Sequence, residues 1–253
     1  MIILKSDSEI RLMRKSGAIT AGALDAAEKA LRPGMSTKEL DRVVEDYIRS
    51  HGARPSFKGY GGFPGSACIS INQVVIHGIP SEREIIRDGD IVSVDVGAYL
   101  NGYHGDAANT FPVGNVSEEA LQLIRVTRES LHRAQQLLRD GVRLGDIGNC
   151  IESYVKQFGF LPVRDYVGHG VGRALHEDPN VPNYGQPGHG LRLPKGATVA
   201  IEPMINQGTD RVITDRADGW TVTTADGKLS AHYENTFYID ENCGHVLTQM
   251  DYN

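Results

Sequence analysis

Two stretches of this sequence are copies of one unit, and that repeat limits the fold more than any other feature. PGMSTKELDRVVEDYIRSHGARP, beginning at Pro33, matches DGVRLGDIGNCIESYVKQFGFLP, beginning at Asp140. At a constant offset of 107 residues Gly34 meets Gly141, Leu40 meets Ile147, Tyr47 meets Tyr154, Gly52 meets Gly159 and Pro55 meets Pro162. The offset carries into GDIVSVDV (89–96) and GATVAIEP (196–203), where Asp95 meets Glu202. The second copy then takes an insertion around Asn206 to Thr224, and its end returns as HYENTF (232–237) against DAANTF (106–111). Asp106 therefore aligns with His232 and Ala108 with Glu234. Self-similarity that spans helices and strands at one offset implies two like-folded halves.

Each half has one grammar. Apolar residues recur at helical spacing over roughly 7–31 (Leu12, Ile19, Ala23, Ala26) and 117–139 (Leu121, Ile124, Leu131, Leu138). Second helices are expected from Thr37 to His51 and from Leu144 to Phe158, with Gly52 and Gly159 as stops. Strands of alternating polarity, broken by glycine turns, follow. Helices preceding hairpins indicate an α+β fold of two pseudo-twofold-related halves, each laying helices on antiparallel sheet. A single domain over 1–253, with units of about 7–112 and 117–240, accommodates this.

Composition removes several function classes. With 26 basic and 32 acidic residues the net charge is −6, which supports no polyanion surface or direct nucleic-acid site. No apolar run approaches a membrane span, and MIILKSDSEI lacks the apolar core of a signal peptide. Cys68, Cys150 and Cys243 are scattered and odd in number, as reduced thiols in a cytoplasmic protein would be.

DVGAYLNGYHGDAANTF, from Asp95 to Phe111, sets two aspartates into apolar strands, where Asp is disfavoured. A hairpin turning at Leu100–Asn101 would place Asp95 and Asp106 nearly opposite one another, with Cβ atoms about 4.5–5.5 Å apart. Unpaired buried charge is costly, and a shared cation would resolve it. The second copy supplies Glu202, flanked by Val199, Ile201 and Met204, and Glu234, on the same strand face as His232. Any one of these acids could be structural, capping a turn or facing solvent. Four at related positions form an oxygen-rich cage for one or two divalent transition metals.

Three of the nine histidines lie in glycine-rich contexts: His77 in VIHGIP, and His169 and His176 in YVGHGVGRALHEDP. His169 is a candidate nitrogen ligand; His77 and His176 are candidate hydrogen-bond donors or proton handlers. His51, His104, His132, His189 and His245 read as structural, and His232 remains open. HGVGRALH is not the helical zinc motif, because its histidines are seven apart with glycines between. GYGGFPG has no following GKS or GKT, and neither a GxSxG elbow nor a cysteine nucleophile signature occurs.

The set Asp95, Asp106, His169, Glu202 and Glu234, with HGIP at 77–80 and GHGVGRALHEDP at 168–179, resembles the type I methionine aminopeptidases of metallopeptidase family M24. The resemblance covers essentially the whole chain. It implies the pita-bread fold of the creatinase/aminopeptidase group, a pseudo-twofold sandwich that forms a single catalytic domain. It implies two divalent metal ions per chain (Co, Mn, Fe or Zn). Asp95 would bind one, His169 and Glu202 the other, and Asp106 and Glu234 would bridge them. A bridging water or hydroxide would attack the carbonyl after the first methionine. Glu202 would shuttle the proton, while His77 and His176 would hold the scissile amide. Tyr60, Phe63, Cys68, Tyr166, Leu175 and Trp220 would line the methionine pocket, although Phe57, Phe63 and Leu175 differ from the Cys, Tyr and Phe of some relatives. Substrates would be N-termini of nascent polypeptides with a small second residue, met at the ribosome by a cytoplasmic monomer. No N-terminal extension is evident, as in the short bacterial form, and no type II insertion precedes ENTF.

Two other readings stand beside this one. A proline dipeptidase or X-Pro aminopeptidase shares the fold but usually carries an extra N-terminal domain, and HGIP and Trp220 favour the methionine enzyme. A ligand-free peptide- or histone-binding relative would have lost some of the five ligand positions, all present here. Because Trp220 falls in the insertion, that segment is expected to wall the pocket.

Overall fold

A computed structural model describes residues 1–249. Four helices form where the apolar spacing predicts them: α1 (Asp7–Ala30), α2 (Thr37–Ser50), α3 (Glu118–Gln136) and α4 (Leu144–Lys156). Ser6 with Glu9 and Ser36 with Glu39 build capping boxes on α1 and α2, satisfying amides that the first turn leaves unpaired. Ser117 accepts from the Ala120 amide at the start of α3, whereas α4 opens on Arg143 with no side-chain cap. Gly52 and Gly159 follow the second helix of each half at φ 74° and 78°, a backbone region that side chains disfavour.

The helices cover one face of a nine-stranded antiparallel sheet. Two strands meet at its centre, Tyr103–Pro112 from the first half and Glu234–Ile239 from the second, paired through Ala108↔Glu234 and Ala107↔Asn235. Outward from that junction lie Ile91–Leu100 on one side and Thr198–Ile201 on the other. The halves match in register as well as in order. Arg54 and Pro55 pair with Tyr99 and Ala98, and their counterparts Leu161 and Pro162 pair with Asn206 and Ile205.

Alternation decides which side chains face the helices. Val92, Val94, Val96 and Ala98 pack against Ile19, Ala23, Leu40 and Val44 of α1 and α2. Val199, Ile201, Phe237 and Ile239 pack against Leu123, Leu131, Ile147 and Ile151 of α3 and α4. Intervening residues, including Asp95, Asp106 and Glu234, therefore face the opposite side. The sheet thus has one oily face and one that collects acids.

The first hairpin turns one residue later than the sequence suggested. Leu100 pairs with Tyr103, so the loop is Asn101–Gly102, both at positive φ (52° and 90°). That is the requirement of a type I′ turn, which Asn-Gly meets. Asp95 consequently faces Ala108, and Asp106 faces Gly97. The two aspartates share a face as diagonal neighbours, a backbone separation of about 7–8 Å instead of direct opposition.

In the second copy the strands part after Glu202. Pro203 offers no amide to a ladder, and the chain resumes as Met204–Asn206, paired with Ser230–His232 in a separate small sheet. Between them the insertion forms a hairpin, Val212–Thr214 with Val222–Thr224, which docks on Val74–Ile76.

Candidate metal centre

Two cross-strand rows on the helix-free face carry the candidate donors. In the first, Cys68 pairs with Asp95, Asp95 with Ala108 and Ala108 with Glu234. Ile201 sits opposite Asn235, so Glu202 continues the row beside Glu234. In the second, Gly97 faces Asp106, and Ala200 faces Thr236 on one side and His169 on the other. The structure thus brings Asp95, Asp106, His169, Glu202 and Glu234 to the floor of one cavity.

Two threonine hydroxyls stand where ladder bonds would flank the central pair. Thr236 Oγ1 accepts from the Asp106 amide at 3.0 Å and donates to the Asp106 carbonyl at 2.9 Å. Thr110 Oγ1 does the same for His232, accepting from its amide and donating to its carbonyl, both at 2.8 Å. Thr110 and Thr236 are repeat counterparts, as are Asp106 and His232. The duplication is therefore visible in hydrogen bonds as well as in chain path.

His169 Nε2 lies 3.7 Å from Asp106 Oδ2 and 3.7 Å from Glu202 Oε1. Its Nδ1 donates to the Gly170 carbonyl at 2.8 Å, which leaves Nε2 as the bare nitrogen facing the acids. His232 approaches from below, with Nε2 3.7 Å from Glu202 Oε2 and 3.9 Å from Glu234 Oε2. Asp95 Oδ1, Asp106 Oδ1, Glu234 Oε1 and His232 Nε2 are buried without a hydrogen-bond partner. Buried polar atoms left without a partner are costly, and a divalent cation would satisfy these together. Asp106, His169 and Glu234 each offer an atom within 4.8 Å of the others, and so do Glu202, His232 and Glu234. The donor set fits a divalent metal.

Without a cation the site suppresses its own charge. Burial is the largest influence on every member. It raises the Asp106 carboxyl to about 7 and lifts Asp95, Glu202 and Glu234 well above the carboxylate range, with neighbouring acids adding to these three. It lowers His169 to about 4, with His176 contributing, and His232 to about 3, with His77 contributing.

Above the acids is a cavity of about 330 Å³. Phe57, Phe63, Cys68 and Leu175 form one apolar cluster, against which Trp220 packs. Trp220 meets Phe63 edge-on with centroids 5.2 Å apart. Gly97 lets Phe57 close over the sheet, since a Cβ there would come within 2.8 Å of the Phe57 ring. Tyr60, Tyr166, His77 and His176 also line the cavity, so every site residue expected from the sequence faces it. The insertion supplies Trp220 to its wall. Ile76, Asp165 and Val167 line it too and carried no sequence signal.

His176 Nδ1 bonds the Tyr60 hydroxyl at 2.8 Å, and its ring centroid is 4.2 Å from that of His169. His77 holds φ at 59°, uncommon for a non-glycine residue, with its ring edge-on to Tyr166 and Trp220. Burial keeps both imidazoles neutral, lowering His77 to about 4 and His176 below its ordinary value.

Comparison with known proteins identifies the family. Residues 11–241 match the model of metallopeptidase family M24. The chain is 55% identical to the methionine aminopeptidase of Clostridium acetobutylicum over 98% of this chain and 99% of that protein. It is 50% identical to methionine aminopeptidase 1 of Bacillus subtilis over 99% and 100%. The crystal structure of methionine aminopeptidase from Thermotoga maritima superimposes with a TM-score of 0.96 at 47% identity, covering 98% of this chain and all of that one.

Proposed function

The chain belongs to metallopeptidase family M24 and, within it, to the methionine aminopeptidases, and from that premise we propose how its residues divide the work. It is a metal-dependent exopeptidase that removes N-terminal methionine from polypeptides whose second residue is small. Two divalent ions, drawn from Co, Mn, Fe or Zn, suit the mixed oxygen and nitrogen donors. Asp95 would help hold one and His169 and Glu202 the other, with Asp106 and Glu234 completing the donor set. When bound, such ions make water a nucleophile near neutral pH and polarise the scissile carbonyl.

The chain's own groups supply the rest. Glu202 accepts the proton released by the attacking water and returns it to the departing amine. His77 and His176, neutral at physiological pH, donate N–H bonds to the scissile amide and to the oxygen on which charge develops. Tyr60 orients His176 through Nδ1. The methionine side chain enters between Phe63, Cys68, Leu175, Tyr166 and Trp220, and aromatic and apolar walls suit a thioether. The remainder of the substrate is a nascent chain, met in the cytoplasm as it leaves the ribosome, and the enzyme works as a monomer. No helix among the described residues is long and apolar enough to cross a membrane.

The observation that carries this reading is the convergence of orphaned carboxylate oxygens beneath an apolar, histidine-edged cavity. The expected result is hydrolysis of Met-Ala-Ser by protein loaded with Mn(II), Co(II) or Fe(II), abolished by a chelator and restored by the ion. Release of residues from X-Pro peptides, with Met-Ala-Ser left intact, would reject it.

A further inference from the structure

The pseudo-twofold axis assigns a position to His232 that none of the five ligand positions above includes. The axis passes between the paired counterparts Ala108 and Glu234. It exchanges Asp95 with Glu202 and Asp106 with His232. Asp106 and His232 are gripped alike, each by the hydroxyl of the opposite copy's threonine at its own amide and carbonyl. A residue held as Asp106 is held presents its side chain to the same cage from the opposite side.

Distance separates two roles for it. A hydrogen bond from His232 to a carboxylate needs a separation of about 2.7–3.2 Å. The observed 3.7 Å to Glu202 Oε2 and 3.9 Å to Glu234 Oε2 are too long. Donors on one ion sit about 2.0–2.2 Å from it and hence about 3–4 Å from one another, which both separations match. His169 makes the same 3.7 Å approach to the other oxygen of Glu202, so the Glu202 carboxylate lies between two imidazole nitrogens. His232 Nε2 is fully buried and unpartnered. It does not line the cavity, so a donor there leaves the open side to water and substrate.

We infer that His232 is a sixth protein ligand of the metal centre, giving its nitrogen to the ion held by Glu202. This rests on the reading of the cage as a metal site. His169 groups with Asp106 and Glu234, and His232 with Glu202 and Glu234, so the cage gains a second nitrogen donor, which shifts its preference toward metals that suit imidazole.

The test is proton NMR of the full-length protein titrated with Co(II). An imidazole bound through one nitrogen carries its remaining N–H proton into the far-shifted region, so ligating histidines can be counted. Two such exchangeable signals are expected in the fully loaded wild type. His232→Gln and His232→Asn lose one of them and bind one Co(II) about 10–100-fold more weakly, while the melting profile of the metal-free protein shows that each variant is folded. A single far-shifted signal in the wild type overturns the inference without any variant, even if the substitutions weaken binding, because His232 would then act only through Glu202. Absence of any Co(II) binding overturns the metal-centre reading as well.

Discussion

The two hairpins of this molecule began as one design and now differ in a telling way. The first runs unbroken through ten paired residues from Ile91↔Pro112 to Leu100↔Tyr103. The second breaks at Glu202–Pro203 and Tyr233; its outer part forms a separate small sheet with Leu161–Pro162, and the Trp220 hairpin inserted there pairs instead with Val74–Ile76 in another. Matching positions differ in chemistry too. Asp95 answers to Glu202 and Asp106 to His232, while Ala108 is silent where Glu234 is an acid. Ser70, opposite Ser93, stands where His169 stands opposite Ala200. Among the candidate metal donors the first half offers oxygen alone, and the second adds the imidazoles of His169 and His232. Duplication supplied a symmetric frame, and divergence made one side of the cage harder than the other.

The largest effect tests that asymmetry. Asp95→Asn removes a carboxylate from the oxygen-only side, whereas Glu202→Gln removes a group proposed as both ligand and proton carrier. Glu202→Gln is expected to lower kcat on Met-Ala-Ser by about 10²–10⁴-fold even with metal in excess. Asp95→Asn should be substantially rescued as the metal concentration is raised. Equal, unrescuable losses in steady-state kinetics would mean that the two sides share one role.

The next effect contrasts Asp106 with His232 in the metal-free protein. Burial raises Asp106 to about 7, above the unfolded carboxyl. Its contribution is present below the unfolded value, near pH 4, and is lost as pH rises through about 7. Burial lowers His232 to about 3. There the unfolded chain takes up the proton first, so stability is lost as pH falls from about 6.5 toward 3. Thermal melts of the metal-free protein should therefore weaken at both ends, with Asp106→Asn easing part of the alkaline limb, which Asp95, Glu202 and Glu234 share, and His232→Gln part of the acid limb, which His169 and His77 share. Limbs that neither substitution changes would place the charge suppression elsewhere.

How far this was legible in the sequence follows the same contrast. The repeat and the four helices could be read because glycine stops and apolar spacing act locally, and both copies carry them. The turn was misplaced by one residue. Both candidate turns keep the apolar face buried, and only the positive φ of Asn101 and Gly102 decides between them. The carboxylates stood out as acids in apolar strands. His232 did not, since a lone buried histidine reads equally well as core. The repeat alignment with Asp106 was the available signal, and the threonine grip gives it meaning. The break after Glu202 was not read from the sequence; Pro203 accounts for it, but its partner sheet depends on contacts remote in sequence.

The smallest effect probes the frame alone. Thr110→Val and Thr236→Val each strip hydrogen bonds from a buried amide and carbonyl. Each is expected to cost about 1–3 kcal/mol, read as a Tm lower by about 2–4 °C per kcal/mol. The two losses should be similar. A large loss for one and none for the other would show that the pseudo-symmetry no longer holds the strands.

The central claim is that both halves jointly build one metal cage. Anomalous diffraction from crystals of the Co(II)-loaded protein tests it most directly. The account predicts metal peaks at the cavity floor, in contact with Asp95 and Asp106 of the first half and with His169, Glu202 and Glu234 of the second. Peaks elsewhere, or an ion held by residues of a single half, would contradict it.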